Sequence, residues 1–480
     1  MTDTSHSPQT TAPKDGGFTG FLRATEIDSR LVGMIGALVL IALGFHLYPA
    51  LSEFFHSAFG ALFHNQGSLG DAFAFLSPSH VWEAGDFLTP RNLWNLSVQT
   101  SYIGIMATGM VLVIITRNID LSVGSIMGMV GMYMGLLQME YLTPALGLGH
   151  PTIWIIMVLF GISMGALIGA FQGVLIAFLG IPSFIVTLGG LLVWRGAAFL
   201  VAGGKTIAPM DDTFALIGGG SFGALGRTGS WIFGVIACVV VVLAFLQGRK
   251  SRKKHDFALR PVWAETFVIG TICAAILGAT ALVNSYIWPK GNIEKYFKAL
   301  GQELPECAKD NDTIYDGVCG TFSHGFAYPV LILITVAIAM TVLMTRTRFG
   351  RYVFAIGGNP EAAALSGINT RAMTVKIFAL MGGLAGLAAV IGSARQNSAT
   401  NAMGNLDELY VIAAAVVGGT SLAGGVGTIY GAIIGALILT ALQTGMVLIG
   451  FGDGSYQRIV IGIALVLAVW LDIVYRKRVK

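Results

Sequence analysis

Side chains capable of covalent or metal chemistry do not cluster anywhere along this chain. The eight histidines are scattered. No His, Cys and carboxylate set has metal-site spacing, and no nucleophile stands in a pattern with a base and its orienting partner. "GGKT" at residues 203–206 resembles the end of a phosphate-binding loop. That loop needs a glycine five places before Gly204, and Phe199 stands there. The reading is therefore of a chain with no catalytic residue, no metal, no cofactor and no nucleotide site of its own. Cys307 and Cys319, in the polar stretch "PECAKDNDTIYDGVCG", are close enough in sequence to bridge. A disulfide is expected there if the loop faces an oxidising compartment. Cys238 and Cys273 lie in apolar runs and read as small buried hydrophobes.

The remaining polar candidates are singular. Asp120 and Ser122 sit in "RNIDLSVGS" at a turn between two apolar runs. The carboxylate can cap the following helix, or it can line a substrate path. Thr420 and Ser421 lie in the Gly-rich stretch "VVGGTSLAGGVGT", irregular backbone that membrane depth tolerates only under protein or beside a water-filled cavity. A cavity wall and a tight turn both remain open. Gln396 and Asn397, in "SARQNSAT", stand at a span end where they can meet substrate or a partner protein, or form an exposed loop. Arg195 and Glu265 lie near span ends and can reach the interface; the spans otherwise hold almost no charge, each buried instance of which costs about 2.5–3.5 kcal/mol.

One polar stretch is helix-like. In "AIGGNPEAAALSGIN", Asn359 is a good N-cap, Pro360 a good first-turn residue, and Glu361 suits the positive end of the helix dipole. Ala362, Ala363, Ala364 and Leu365 are strong helix formers; Ser366 follows, and Gly367 is a natural stop. A helix of about two turns is unstable alone, so it must dock, against a partner or against the membrane surface.

The elements that carry these residues are membrane spans. Of 480 residues, 55% are hydrophobic and 11% charged, against about 25% charged in a soluble domain. The fold expected is an all-α polytopic membrane protein. It has about twelve apolar segments of roughly 20 residues, one of them, residues 408–418, short or broken. Residues 1–30 read as a disordered cytoplasmic tail without a cleaved signal, and 31–474 as the transmembrane domain. Within it, 51–96 and 285–326 are outer loops, with Trp94 at headgroup level. Residues 248–261 form a basic cytoplasmic loop, 346–372 a cytoplasmic segment and 475–480 the cytoplasmic tail. Most of the 29 Lys and Arg fall in the segments this assigns to the inside, so both termini are expected in the cytoplasm. The basic run "GRKSRKK" follows from orientation beside anionic lipid, and nucleic-acid binding has no support. "SVGSIMG" at 122 and "GVGTIYG" at 425 suggest a parallel internal repeat. Glycines at 161, 165, 169 and 173 and at 427, 431 and 435 lie on helix faces suited to close packing, within the bundle or between subunits.

Four stretches, "IDLSVGS", "IPSFIVTLGGLLVWRG", "FGRYVFAIGGNPEAAALSGIN" and "VVGGTSLAGGVGTIYGAIIGALI", in that order, resemble the ribose/xylose/galactose/arabinose permease family. The N-terminal "GGFTG" and the basic loop are most similar to its xylose members. The resemblance implies the permease subunit of a binding-protein-dependent ABC importer for a monosaccharide, in the bacterial inner membrane. Two permease copies would form a homodimer around the pore. Two cytoplasmic ATPase subunits, holding ATP and Mg, would drive it, and a periplasmic sugar-binding protein would deliver the cargo. The segment from Asn359 to Gly367 matches the family's coupling segment; Asp120, Ser122, Thr420 and Ser421, with Gln396 and Asn397, are candidates for the path. An ion-coupled or facilitative sugar carrier is the rival reading, and would be expected to show buried acidic residues.

Overall fold

The computed structural model describes residues 17–63, 69–305 and 321–479, and it divides into two compact units. One joins the residues up to Gly33 with Trp231–Ala279; the other holds Met34–Ser230 and Thr280–Lys480. Among the described residues there is no β-strand, only isolated bridges such as Ile207 with Ala399.

In the smaller unit, helix α1 (Phe18–Thr25) precedes the start of α2 (Ser29–Phe63), and α7 (Gly226–Lys254) and α8 (Val262–Ser285) contribute most of their length. Composition predicts disorder for all of 1–30, but an ordered helix occupies Phe18–Thr25. It is held because Phe21 packs on the rings of Trp263 and Phe267, with centroids 6.1 and 5.2 Å away. Glu26 bridges Arg252 and Arg260, and Arg249 pairs with Glu265. The basic run stays helical as far as Lys254. Cys238 and Cys273 are half-buried neighbours, the Cys238 thiol 3.8 Å from the Cys273 carbonyl.

The larger unit is a helical bundle of α3 (Pro90–Ile115), α4 (Val123–Leu136), α5 (Ile153–Leu179) and α6 (Ser183–Val201), followed by α9 (Tyr328–Arg346), α10 (Arg348–Gly358), α11 (Pro360–Leu365) and α12 (Thr370–Gln396), and then α13 (Asp407–Val417), α14 (Ile429–Leu448) and α15 (Gly454–Val479). Nine of the helices among the described residues are long and apolar enough to span a bilayer. The apolar part of α15, the short α13, and α4 with its helical continuation to Leu146 complete the set of about twelve. α13, with 11 residues, reaches only about 16 Å of a hydrocarbon core about 30 Å thick.

Burial sorts the spans. In α3 and α12, 89% of the apolar window is buried, against 6% in α2. The first two form the centre, and α2 faces what surrounds the protein. α5 packs along α12 by backbone approach: a methyl on Gly165 would lie 2.2 Å from the Gly382 carbonyl, and one on Gly386 2.0 Å from that of Gly161. Only glycine permits that separation, so this stripe packs within the bundle.

Two further expectations are corrected. Residues 51–96 are not an open loop: α2 runs on to Phe63, short helices cover Leu69–Ala74 and Pro78–Ala84, and the Thr89 hydroxyl caps α3. Trp94 is therefore packed inside the protein and not presented to the bilayer. It is 5% exposed and donates its indole N–H to the Gly325 carbonyl at 2.8 Å, because a buried Trp needs an acceptor. In the 285–326 stretch, Lys290–Ala299 is helical and Ile293 packs among Trp288, Phe297 and Phe322; Cys307 and Cys319 lie outside the described residues.

Candidate functional site

The turn between α10 and α12 is built as its residues suggest. Asn359 accepts at Oδ1 from the N–H groups of Glu361 and Ala362, both at 3.0 Å, and Pro360 opens the helix. The Ser366 hydroxyl returns to the Ala362 carbonyl, and Gly367 ends the turn at φ +83°. Ala363 faces inward at 4% exposed, while Leu365 stands 90% exposed at the helix end. Arg117, just past α3, grips the base of this turn, donating through Nε to Gly357 O at 2.9 Å and through Nη2 to Gly358 O at 2.6 Å. The Gly425 N–H, from the link between α13 and α14, donates to Ile115 O at 3.0 Å. The exposed helix, the end of α3 and both Gly-containing links thus meet at one junction.

Beyond Arg117 the chain turns inward. Asp120 is fully buried, and its Oδ1 accepts from the Ser122 N–H at 2.9 Å and hydroxyl at 2.6 Å. The same hydroxyl lies 3.0 Å from Gln172 Oε1 and has one proton to share between the two. Gln172 is seven residues from the end of α5, so this cluster lies about 10 Å inside the bundle. Asp120 does hold the turn before α4, by a bond to Ser122 rather than as the capping residue itself.

A second buried carboxylate faces the same helix start. A methyl on Gly124 would lie 2.3 Å from Glu408 Oε2, and Asp120 and Glu408 are within electrostatic reach of each other. The positive end of α4 favours anions there. Asp120 Oδ2, Glu408 Oε2, Gln172 Nε2 and Thr420 Oγ1 are buried without a hydrogen-bond partner. Such open atoms cost about 1–3 kcal/mol each, so they mark polar surface inside the bundle. Thr420 and Ser421 belong to the other link: Ser421 Oγ accepts from the Ala423 N–H at 3.1 Å, and among the described residues no hydrogen bond joins either side chain to Asp120.

Past α12, the segment before α13 re-enters the bundle along α4. Ala399 lies against Gly135, Met403 against Gly128 and Gly131, and Gly404 against Gly124, a descent of about 16 Å. Arg195 pins it, donating from Nη1 to Asn401 O at 2.9 Å and Met403 O at 2.7 Å, and from Nη2 to Gly404 O at 3.0 Å. The sequence places Arg195 at the interface and leaves the spans with almost no charge. The interfacial reading of Arg195 is corrected: three backbone carbonyls, freed where the chain is not helical, turn the guanidinium inward. Above this floor is a cavity of about 250 Å³ lined by Tyr102, Arg395, Gln396, Thr400, Asn405 and Asp407 among others. Gln396 thus faces a cavity. Asn397 does not: at φ +48° it closes α12, and its Oδ1 accepts from the Met210 N–H at 3.0 Å.

Residues 92–252 and 292–469 match the family model described as the permease component of the branched-chain amino acid transport system. This chain is a member of that permease family. Over 394 residues it is 35% identical to the xylose transport system permease protein of Haemophilus influenzae, covering 82% of this chain and 92% of that one. The Escherichia coli xylose transport permease is 36% identical over 82% of this chain and 88% of its own length. The ribose import permease of Escherichia coli is 30% identical over 81% and 87%. No solved structure matches. The matched segments of this multi-pass membrane protein hold every residue of the site just described.

Sequence reasoning overlooked Tyr102, Asp407 and Glu408 as site residues, and read Arg195 as interfacial. Arg195 lies six residues inside α6, and the two acids begin a helix too short to span. Those depths were the available signal.

Proposed function

We propose that this permease is the membrane subunit of a binding-protein-dependent ABC importer for a monosaccharide, xylose or a related pentose or hexose. The observation that carries the mechanism is the joint at Arg117. A solvent-exposed two-turn helix ending in Leu365 is bonded through Gly357 and Gly358 to the turn that leads to Asp120. Docking of α11 in a groove of a cytoplasmic ATPase transmits motion by that joint to α3 and to both links. ATP, with Mg, binds and is hydrolysed on the ATPase subunits. Two permease copies form the pore in the bacterial inner membrane, with both termini cytoplasmic. A periplasmic binding protein delivers the sugar, and alternating access carries it past the polar cavity and the Asp120–Glu408 seam.

The named relatives support a sugar as cargo. The buried acids Asp120 and Glu408, with the half-buried Asp407, are a feature that an ion-coupled carrier would also use, and that reading is therefore kept as the rival. Purification of the chain with its associated proteins, followed by ATPase assays with pentoses and hexoses, tests the proposal. Sugar-stimulated hydrolysis by a co-purifying ATPase is expected. Transport by the chain alone, driven by an ion gradient or down the sugar gradient, would replace it with the rival.

A further inference from the structure

We propose that the cavity bounded by Tyr102, Arg395, Gln396, Asn405 and Asp407 is a binding site for one neutral monosaccharide within the permease itself. The inference rests on the transport reading above and locates where the membrane subunit reads its cargo.

Among the described residues none of these five side chains makes a hydrogen bond, although they converge on one cavity. Tyr102 and Asp407 are half-buried, where polar groups are normally paired, and the exposed Arg395, Gln396 and Asn405 open on the same space. Their inventory is mixed: the guanidinium only donates, the carboxylate only accepts, and the amides and phenol do both. A sugar ring presents the same mixture, since each hydroxyl donates once and accepts twice. Neighbouring hydroxyls can donate to Asp407 while accepting from Arg395. Both ions are within electrostatic reach of the Tyr102 hydroxyl, so one positive and one negative group act on the same space. An anionic ligand would gain from Arg395 and be opposed by Asp407, and a cation the reverse. The balance selects a neutral polyol. Met127 and Met403 add adaptable apolar surface for its C–H face. A volume of about 250 Å³ is at the small end of ligand sites, which favours a single ring over an oligosaccharide. Arg195 is a positioning residue here: it touches no space in the cavity, but its three carbonyl bonds set the wall formed by 402–404.

The test has two arms. Full-length permease alone in lipid nanodiscs is titrated calorimetrically with D-xylose, D-glucuronate and D-glucosamine. In parallel, the complete reconstituted complex takes up D-xylose and D-ribose in competition. Saturable D-xylose binding by the permease alone is expected, with the charged sugars at least about tenfold weaker. Asp407→Asn, which preserves shape, should weaken D-xylose binding at least about tenfold, the effect of losing a hydrogen bond to a charged group, and should change the xylose-to-ribose uptake ratio. Tyr102→Phe and Asn405→Ala should move the same ratio, a readout that a purely structural role would leave alone. No binding to the wild-type permease, or an unchanged affinity and ratio in all three variants when each is monodisperse, overturns the site. Loss of the transport reading looks different: the wild-type complex would show no ATP-dependent uptake, while the titration would still report on the cavity.

Discussion

Arg117 and Arg195 show how a single guanidinium can organise irregular membrane backbone. Each donates to main-chain carbonyls that no helix satisfies, Gly357 and Gly358 in one case, Asn401, Met403 and Gly404 in the other. Because the planar fork reaches two acceptors at once, Arg117→Lys should lose part of the joint and Arg117→Ala all of it. The expected result in the reconstituted complex is ATP hydrolysis largely retained, with uptake per ATP reduced several-fold for Lys and about tenfold or more for Ala. Uptake and hydrolysis falling in step would place Arg117 outside the coupling route. At the close approach of α4 and the re-entrant segment, Gly404 has φ +69°, and a methyl there would lie 2.2 Å from the Gly124 carbonyl. Gly404→Ala should therefore cost about 1–3 kcal/mol, read as a lowered unfolding temperature in detergent.

Helix α11 is the element most legible in the amino-acid sequence alone. Asn359, Pro360, Glu361 and Gly367 are local signals, each acting within one turn, and local chemistry is what a sequence displays directly. The same holds for the spans and for the glycine stripe of α5. What stays hidden in the sequence depends on tertiary placement. The re-entry of residues 397–406 requires knowing that Ala399 pairs with Ile207 and that Arg195 reaches across to Met403. Trp94 reads as an interfacial anchor because its partner, Gly325, is 231 residues away. The local signals also give the expected behaviour of α11. Burying Leu365 on a partner is worth about 1.5–3 kcal/mol, so Leu365→Asp should weaken association with the ATPase by roughly ten- to a hundredfold. Ala363, packed inward, should instead disturb the permease when enlarged: Ala363→Trp should lower its stability by about 1–3 kcal/mol. Unchanged ATPase affinity in Leu365→Asp would remove α11 from the interface.

At the scale of the molecule, the smaller unit has its own electrostatic latch. The hydrogen bonds from Arg252 and Arg260, followed by their charges, hold the Glu26 carboxyl at a pKa of about 2, below its ordinary 4.5. A depressed folded-state pKa means the stabilisation is fully present above about pH 4.5 and is lost as pH falls towards 2. Glu26→Gln should therefore flatten the acid dependence of α1 docking in that window, as monitored by hydrogen exchange across Phe18–Thr25. Salt should weaken the latch too, since its groups are part-exposed. The larger unit holds the features on which the proposed transport cycle rests: an exposed helix, a jointed pair of links, buried acids and a polar cavity. The most direct test of that account is sugar uptake into proteoliposomes holding the permease, its ATPase and its binding protein, with and without ATP. Uptake that requires ATP and all three proteins is predicted; accumulation or equilibration of the sugar by the permease alone would contradict it.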